Sequence, residues 1–130
     1  MGELGDLLEL PFLDADALGQ AAYGYAKRAN HLRVQSASLT WGERGARINA
    51  ISPGIILTPL ARDEMSGPGA ANYQTMIQTS ASQRVGTPDE VAATAAFLLG
   101  PEAGFITGSD LLMDGGVIAA LRAGRWNLTA

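Results

Sequence analysis

Apolar positions recur with helical spacing from about Ala17, where Leu18, Ala22, Tyr25, Ala29, Leu32, Ser36 and Leu39 fall on one stripe. The pattern predicts a helix over 17–41, with Asp14 or Asp16 as N-cap and Gly42 or Gly45 as the stop. The stripe is rich in small residues, so another helix or a sheet can approach it closely. Tyr25 lies on it and is the expected core tyrosine; Tyr23 and Lys27 lie on a neighbouring face. The run Ala46-Arg-Ile-Asn-Ala-Ile51 reads as a short buried strand closed by Ser52-Pro53-Gly54. Residues 60–82 read as one or two short helices around Gly67-Pro68-Gly69, which is either a turn or the hinge of a lid.

Thr87-Pro88-Asp89-Glu90 combines an N-cap, a proline at the first helical position and the glutamate of a capping box, and predicts a helix over 88–99 ended by Gly100-Pro101. Asp110-Leu-Leu-Met-Asp114 reads as a second buried strand, within 109–114, stopped by Gly115-Gly116. Strand, helices and strand in this order form a crossover unit, so the two strands should be parallel. The fold class is α/β.

The first 16 residues contain Glu3, Asp6, Glu9, Asp14 and Asp16 and no basic residue, which suggests an acidic loop, short helix or insertion. They have no signal-peptide pattern, and no apolar run approaches the roughly 20 residues that cross a bilayer. The expected compartment is the cytoplasm, with no membrane partner. With 130 residues, 47% of them hydrophobic and 17% charged, the chain has the composition of one globular domain. A net charge of −4 gives no footprint for nucleic acid. Without cysteine and with one histidine, a zinc site is not expected, and no metal site is assigned. His31, one turn beyond Lys27, could border the same pocket or be a partly exposed helix residue.

The candidate chemistry begins at Tyr23 and Lys27, the chain's only lysine. Residues i and i+4 of a helix lie one turn apart on one face, about 5–6 Å between Cβ atoms. A unit charge about 4 Å away, at an effective dielectric of about 20, supplies roughly the 4 kcal/mol that a phenol needs to exchange protons near neutrality. A bare Tyr-x-x-x-Lys match is weak by itself.

Four segments in order make the pattern specific. Tyr23-Gly-Tyr-Ala-Lys27, Arg47-Ile-Asn-Ala-Ile-Ser-Pro53-Gly54-Ile-Ile-Leu-Thr58, Arg84-Val-Gly-Thr-Pro-Asp-Glu-Val91, and Ile106-Thr-Gly108 through Asp114-Gly-Gly116 resemble the C-terminal half of a short-chain dehydrogenase/reductase. The likeness spans about residues 17–118. It implies a Rossmann-like, doubly wound parallel sheet, represented here by its last two strands and their helices. It implies Tyr23 as proton donor or acceptor, and Lys27 as the residue that holds the nicotinamide ribose and assists the tyrosine. Pro53, Gly54 and Ile56 would line the nicotinamide, and Thr58 would offer a hydroxyl to its carboxamide or phosphates.

The implied activity is NAD- or NADP-dependent interconversion of an alcohol and a carbonyl on a small-molecule substrate, in a homodimer or homotetramer joined through the Tyr-x-x-x-Lys helix and its neighbour. Residues 60–82 would shape the substrate site, and Ile55, Ile56, Leu57, Leu60 and Met65 suggest a largely apolar pocket. Tyr-x6-Lys, the pattern of the related enoyl reductases, is not met, because position 30 is Asn30. The family's glycine-rich phosphate loop has no counterpart, and residues 1–22 hold no serine or threonine for its catalytic serine. These gaps suggest a fragment of a longer chain, inactive in isolation. An alternative consistent with them is a non-catalytic oligomerisation or binding module derived from the same fold.

Overall fold

The computed structural model describes residues 15–126. In chain order the elements are helix α1 (Ala15–Gly42), strand β1 (Ala50–Pro53), helices α2 (Pro59–Ser66), α3 (Ala70–Thr79) and α4 (Pro88–Leu99), a 3-10 turn (Pro101–Ala103), strand β2 (Asp110–Met113) and helix α5 (Val117–Arg122). The acidic segment lies outside the described residues except for its last two, and so does Asp14. Asp16 sits inside α1 and is not its cap.

β1 and β2 pair in parallel, Ala50 opposite Asp110 through Pro53 opposite Met113. This two-stranded parallel sheet with its crossover helices is the Rossmann-like arrangement. Position 50 shares a face with 52, 110 and 112, because side chains alternate along a strand and the register is even. His31 of α1 reaches Ser52 and Asp110, so α1 covers that face.

β1 starts later than the sequence pattern predicts, at Ala50 rather than Ala46, and includes Ser52 and Pro53. Residues 47–49 are engaged differently. Arg47 donates to the carbonyls of Leu98, Gly100 and Ile106 at 2.8–3.2 Å. A guanidinium there satisfies orphan carbonyls at the end of α4 and complements the negative end of its dipole. The Asn49 amide bridges Ile106 O and Ser109 N; Ile48 O accepts from Gly108 N at 2.7 Å ahead of the strand, and the regular ladder follows from Ala50 N to Ser109 O at 2.8 Å. Neither strand is buried: β1 is half-buried, and Leu111 and Leu112 of β2 are exposed.

α1 ends in a glycine-terminated cap. Gly45, at φ +71°, lets Ala46 N reach Trp41 O at 3.0 Å while Gly45 N bonds Gly42 O. From Ala22 onward the half-buried residues of α1 are Ala22, His31, Val34, Ala37 and Ser38, and the last four lie on the face that continues through Lys27 toward Tyr23. The small-residue stripe is therefore not the face against the sheet, and Tyr25 is not a core tyrosine: it is 57% exposed, with Leu32 and Leu39 also open to solvent. Helical periodicity finds an apolar stripe but does not say which neighbour covers it.

The buried side chains are sparse. Leu98 and Ala103 lie where α4 meets the 3-10 turn, and Val117, Ala120 and Trp126 form a cluster on which Met76 and Leu121 pack. The Gly67–Gly69 stretch forms a turn between α2 and α3.

At the start of α4 the capping box is complete. Thr87 Oγ1 accepts from Glu90 N, and the Glu90 carboxylate accepts from Thr87 N at 2.9 Å. Arg84 grips the same carboxylate at 2.6 and 2.9 Å. The Arg84 hydrogen bonds, then that from the Thr87 backbone, hold the Glu90 carboxyl down to about 2 from an ordinary 4.5. A depressed carboxyl contributes stability that is present above pH 4.5 and is lost as pH falls toward about 2. Glu90→Gln should therefore melt earlier than the parent at neutral pH, and the difference should close between those two values in a pH series of thermal melts. Thr87→Ala, which removes the cap together with a weaker hydrogen bond from the Thr87 hydroxyl to the same carboxylate, should cost about 1 kcal/mol at neutral pH.

Candidate active site

Tyr23 and Lys27 project from α1 one turn apart, with the Lys27 ammonium 5.3 Å from the centroid of the Tyr23 ring. That is cation–π distance. The ammonium thus lies over the ring, and Tyr23 remains 70% exposed.

The other wall is the bend after β1. Gly54 N closes the ladder on Met113 O at 3.1 Å. The backbone of Gly54 lies so close to Asp114 that a Cβ there would stand 2.7 Å from Asp114 Cα and Cβ, which is why only glycine fits. Asp114 is itself fixed, its carboxylate accepting from Gly116 N and Ile118 N at 2.8 Å each. Beyond Gly54 the chain pairs with Gly86: Gly86 N donates to Ile55 O and Leu57 N to Gly86 O, both at 2.9 Å. Thr58 then caps α2, its Oγ1 accepting from Ala61 N at 3.2 Å with Pro59 in the first helical position.

Between these walls opens a cleft of about 770 Å³. Tyr23, Pro53, Gly54, Ile56 and Thr58 line it together, although Tyr23 and Pro53 are 30 positions apart. Lys27 is not among the lining residues; its contact is with Tyr23. Of the apolar residues expected to shape the pocket, Ile55, Ile56 and Leu60 line it, whereas Leu57 and Met65 do not.

The α2–α3 side adds a polar pair that sequence reasoning missed. Tyr73 donates to Glu64 Oε2 at 2.7 Å, and both face the cleft. The hydrogen bond to Glu64 is the main reason the Tyr73 hydroxyl is harder to ionise than an ordinary tyrosine. Nothing in the spacing of Glu64 and Tyr73, on separate helices, announces that contact.

The residues present suit a flat, amide-bearing ring. The Thr58 hydroxyl has its oxygen engaged as a helix cap, which leaves its O–H free to donate among the described residues. Gly54 offers a backbone that no side chain screens, and Pro53 and Ile56 offer apolar surface beside it. His31 points elsewhere, onto the sheet. Among the described residues no cluster of His, Asp and Glu could hold a metal, and no helix is long and apolar enough to cross a membrane.

Comparison with known proteins finds relatives for most of the chain. The profile of a protein family described as enoyl-(acyl carrier protein) reductase matches residues 7–118. The short-chain dehydrogenase/reductase bsc3 of Alternaria brassicicola is 49% identical over 117 residues, 89% of this chain and 43% of that protein. The 3-alpha-hydroxysteroid dehydrogenase/carbonyl reductase of Comamonas testosteroni is 33% identical over 104 residues, 80% of this chain and 40% of that one. Among solved structures, a 4-hydroxyisoleucine dehydrogenase complexed with NADH superposes with a TM-score of 0.67 at 29% identity, covering 76% of this chain and 40% of that chain. The chain thus spans roughly two fifths of the length of the proteins it matches.

Proposed function

The chain belongs to the short-chain dehydrogenase/reductase family of oxidoreductases, and from that premise we propose that its cleft serves the nicotinamide-dependent interconversion of an alcohol and a carbonyl. One observation supports this reading above the others: Tyr23 and the bend of Pro53, Gly54, Ile56 and Thr58 line a single cleft, with the Lys27 ammonium over the tyrosine ring.

In this reading NAD or NADP, when bound, gives or takes the hydride. Tyr23 moves the proton: its phenol oxygen donates to the substrate oxygen in reduction and accepts from the alcohol in oxidation, so that charge on the substrate oxygen is neutralised as it develops. Lys27 serves as a cation that holds the ribose hydroxyls and steadies Tyr23. Pro53, Gly54 and Ile56 would line the nicotinamide, and the Thr58 hydroxyl would donate to its carboxamide or a phosphate oxygen. Glu64 and Tyr73 put a carboxylate and a phenol on the substrate side of an otherwise apolar wall. The exposed stripe of α1, with Tyr25, Leu32 and Leu39, is assigned to contact with a second copy in a homodimer or homotetramer.

The direct test is to titrate NADH and NADPH into the protein at its full encoded length and follow cofactor fluorescence. Saturable binding of at least one is expected, weakened at least tenfold in Lys27→Met. Failure of both to bind would defeat the assignment and favour a non-catalytic module.

A further inference from the structure

His31 lies one turn past Lys27 and two turns past Tyr23 on the same flank of α1. Its Nε2 is 3.1 Å from Ser52 Oγ and 3.7 Å from Asp110 Oδ1, and Ser52 Oγ donates to Asp110 Oδ1 at 2.7 Å. The side chains of His31 and Asp110 are only 24% and 27% exposed. Three elements thus meet at one point: α1 through His31, β1 through Ser52 and β2 through Asp110. Among the described residues these are the polar side-chain contacts that α1 makes with the sheet. Ser52 is also the residue directly before the Pro53–Gly54 bend.

The hydrogens can be assigned. A serine hydroxyl has one hydrogen, and a carboxylate only accepts, so the Ser52 hydrogen goes to Asp110. Toward His31 the Ser52 oxygen can then only accept, and Nε2 must carry a hydrogen. Both the imidazolium and the Nε2–H neutral tautomer meet that requirement.

We propose that His31, Ser52 and Asp110 form a positioning cluster that sets the separation between the helix bearing Tyr23 and Lys27 and the bend bearing Pro53 and Gly54. This rests on the oxidoreductase reading of the cleft. His31 does not line the cleft; it acts through α1. The two walls belong to different elements, and a misplacement of about 1 Å between reacting groups costs on the order of a hundredfold in rate. A donor that ties one wall to the residue preceding the other fixes that spacing directly.

The test compares His31→Leu, which removes the donor, with His31→Gln, which returns an N–H at a similar reach, in the protein at its full encoded length. For the leucine variant we expect kcat lower by roughly ten- to a hundredfold, a larger loss than that in NAD(P)H affinity, and for the glutamine variant recovery of kcat to within about threefold. Equal activity of leucine variant and parent, or equal impairment of both variants, would overturn the proposal. Should His31→Leu not fold, Ser52→Ala removes the acceptor with a smaller change and is expected to show the same loss of kcat. Long-range 15N–1H NMR of the parent reads the hydrogen on His31 Nε2 independently of activity; a bare Nε2 would overturn the cluster. A parent with no alcohol–carbonyl activity would instead overturn the reading of the cleft, and the NMR result would still judge the cluster.

Discussion

Tyr23→Phe should lower kcat for alcohol oxidation and carbonyl reduction by roughly two to four orders of magnitude, the usual share of a general acid–base group. Only the phenol oxygen is lost. The ring stays beneath the Lys27 ammonium, and the side chain is mostly exposed, so stability should change by no more than about 0.5 kcal/mol. NADH or NADPH affinity should stay within about threefold of the parent. Initial rates with a panel of secondary alcohols and ketones, beside a fluorescence titration, separate the two quantities. Activity kept within threefold of the parent would remove Tyr23 from the proton-transfer role whatever the cofactor did.

Gly54→Ala should act on the opposite wall and through a different physical route. The new methyl would stand 2.7 Å from both Asp114 Cα and Cβ, where no flexible side-chain tip is available to give way. The backbone has to move instead, and overpacking of this kind costs about 1–3 kcal/mol. The displacement falls on Gly54 N to Met113 O and on the end of the β1–β2 ladder, next to the proposed nicotinamide site. A lower melting temperature together with cofactor binding weakened at least tenfold is the expected result. Gly24→Ala is the control: nothing lies within 4 Å of a Cβ there, and alanine in a helix interior should be neutral or stabilising by up to about 1 kcal/mol. Equal behaviour of the two variants would refute the close-approach account of Gly54.

Local chemistry was legible in the sequence wherever contacts are short in range. Thr87, Pro88 and Glu90 encode a cap within four residues, and the capping box is present. Gly67-Pro-Gly69 likewise marks the turn between two short helices. What depends on distant partners was not legible. Arg47 and Asn49 resemble strand residues by pattern, but carbonyls some 50–60 positions away take up their side chains and delay the ladder to Ala50. Tyr25 lies on an apolar stripe, yet the sheet takes the flank of His31 and Val34, because the tie from His31 to Ser52 and Asp110 requires it. The Tyr23–Lys27 spacing and the bend were visible separately, and only the family resemblance implied that they meet; the packing of α1 on β1 brings Tyr23 and the bend to one cleft.

Gly86 holds Ile55 and Leu57 through paired backbone bonds, and a side chain at Gly86 would strike Ile56 at 2.7 Å. The Ile55–Leu57 segment therefore has no slack: to swing, it would have to break both bonds and drag the first turn of α4 along. It behaves as a fixed anvil against which a flat ring can rest. The opposite wall, carried by α2, α3 and the short turn that joins them, lies outside that pair of backbone bonds.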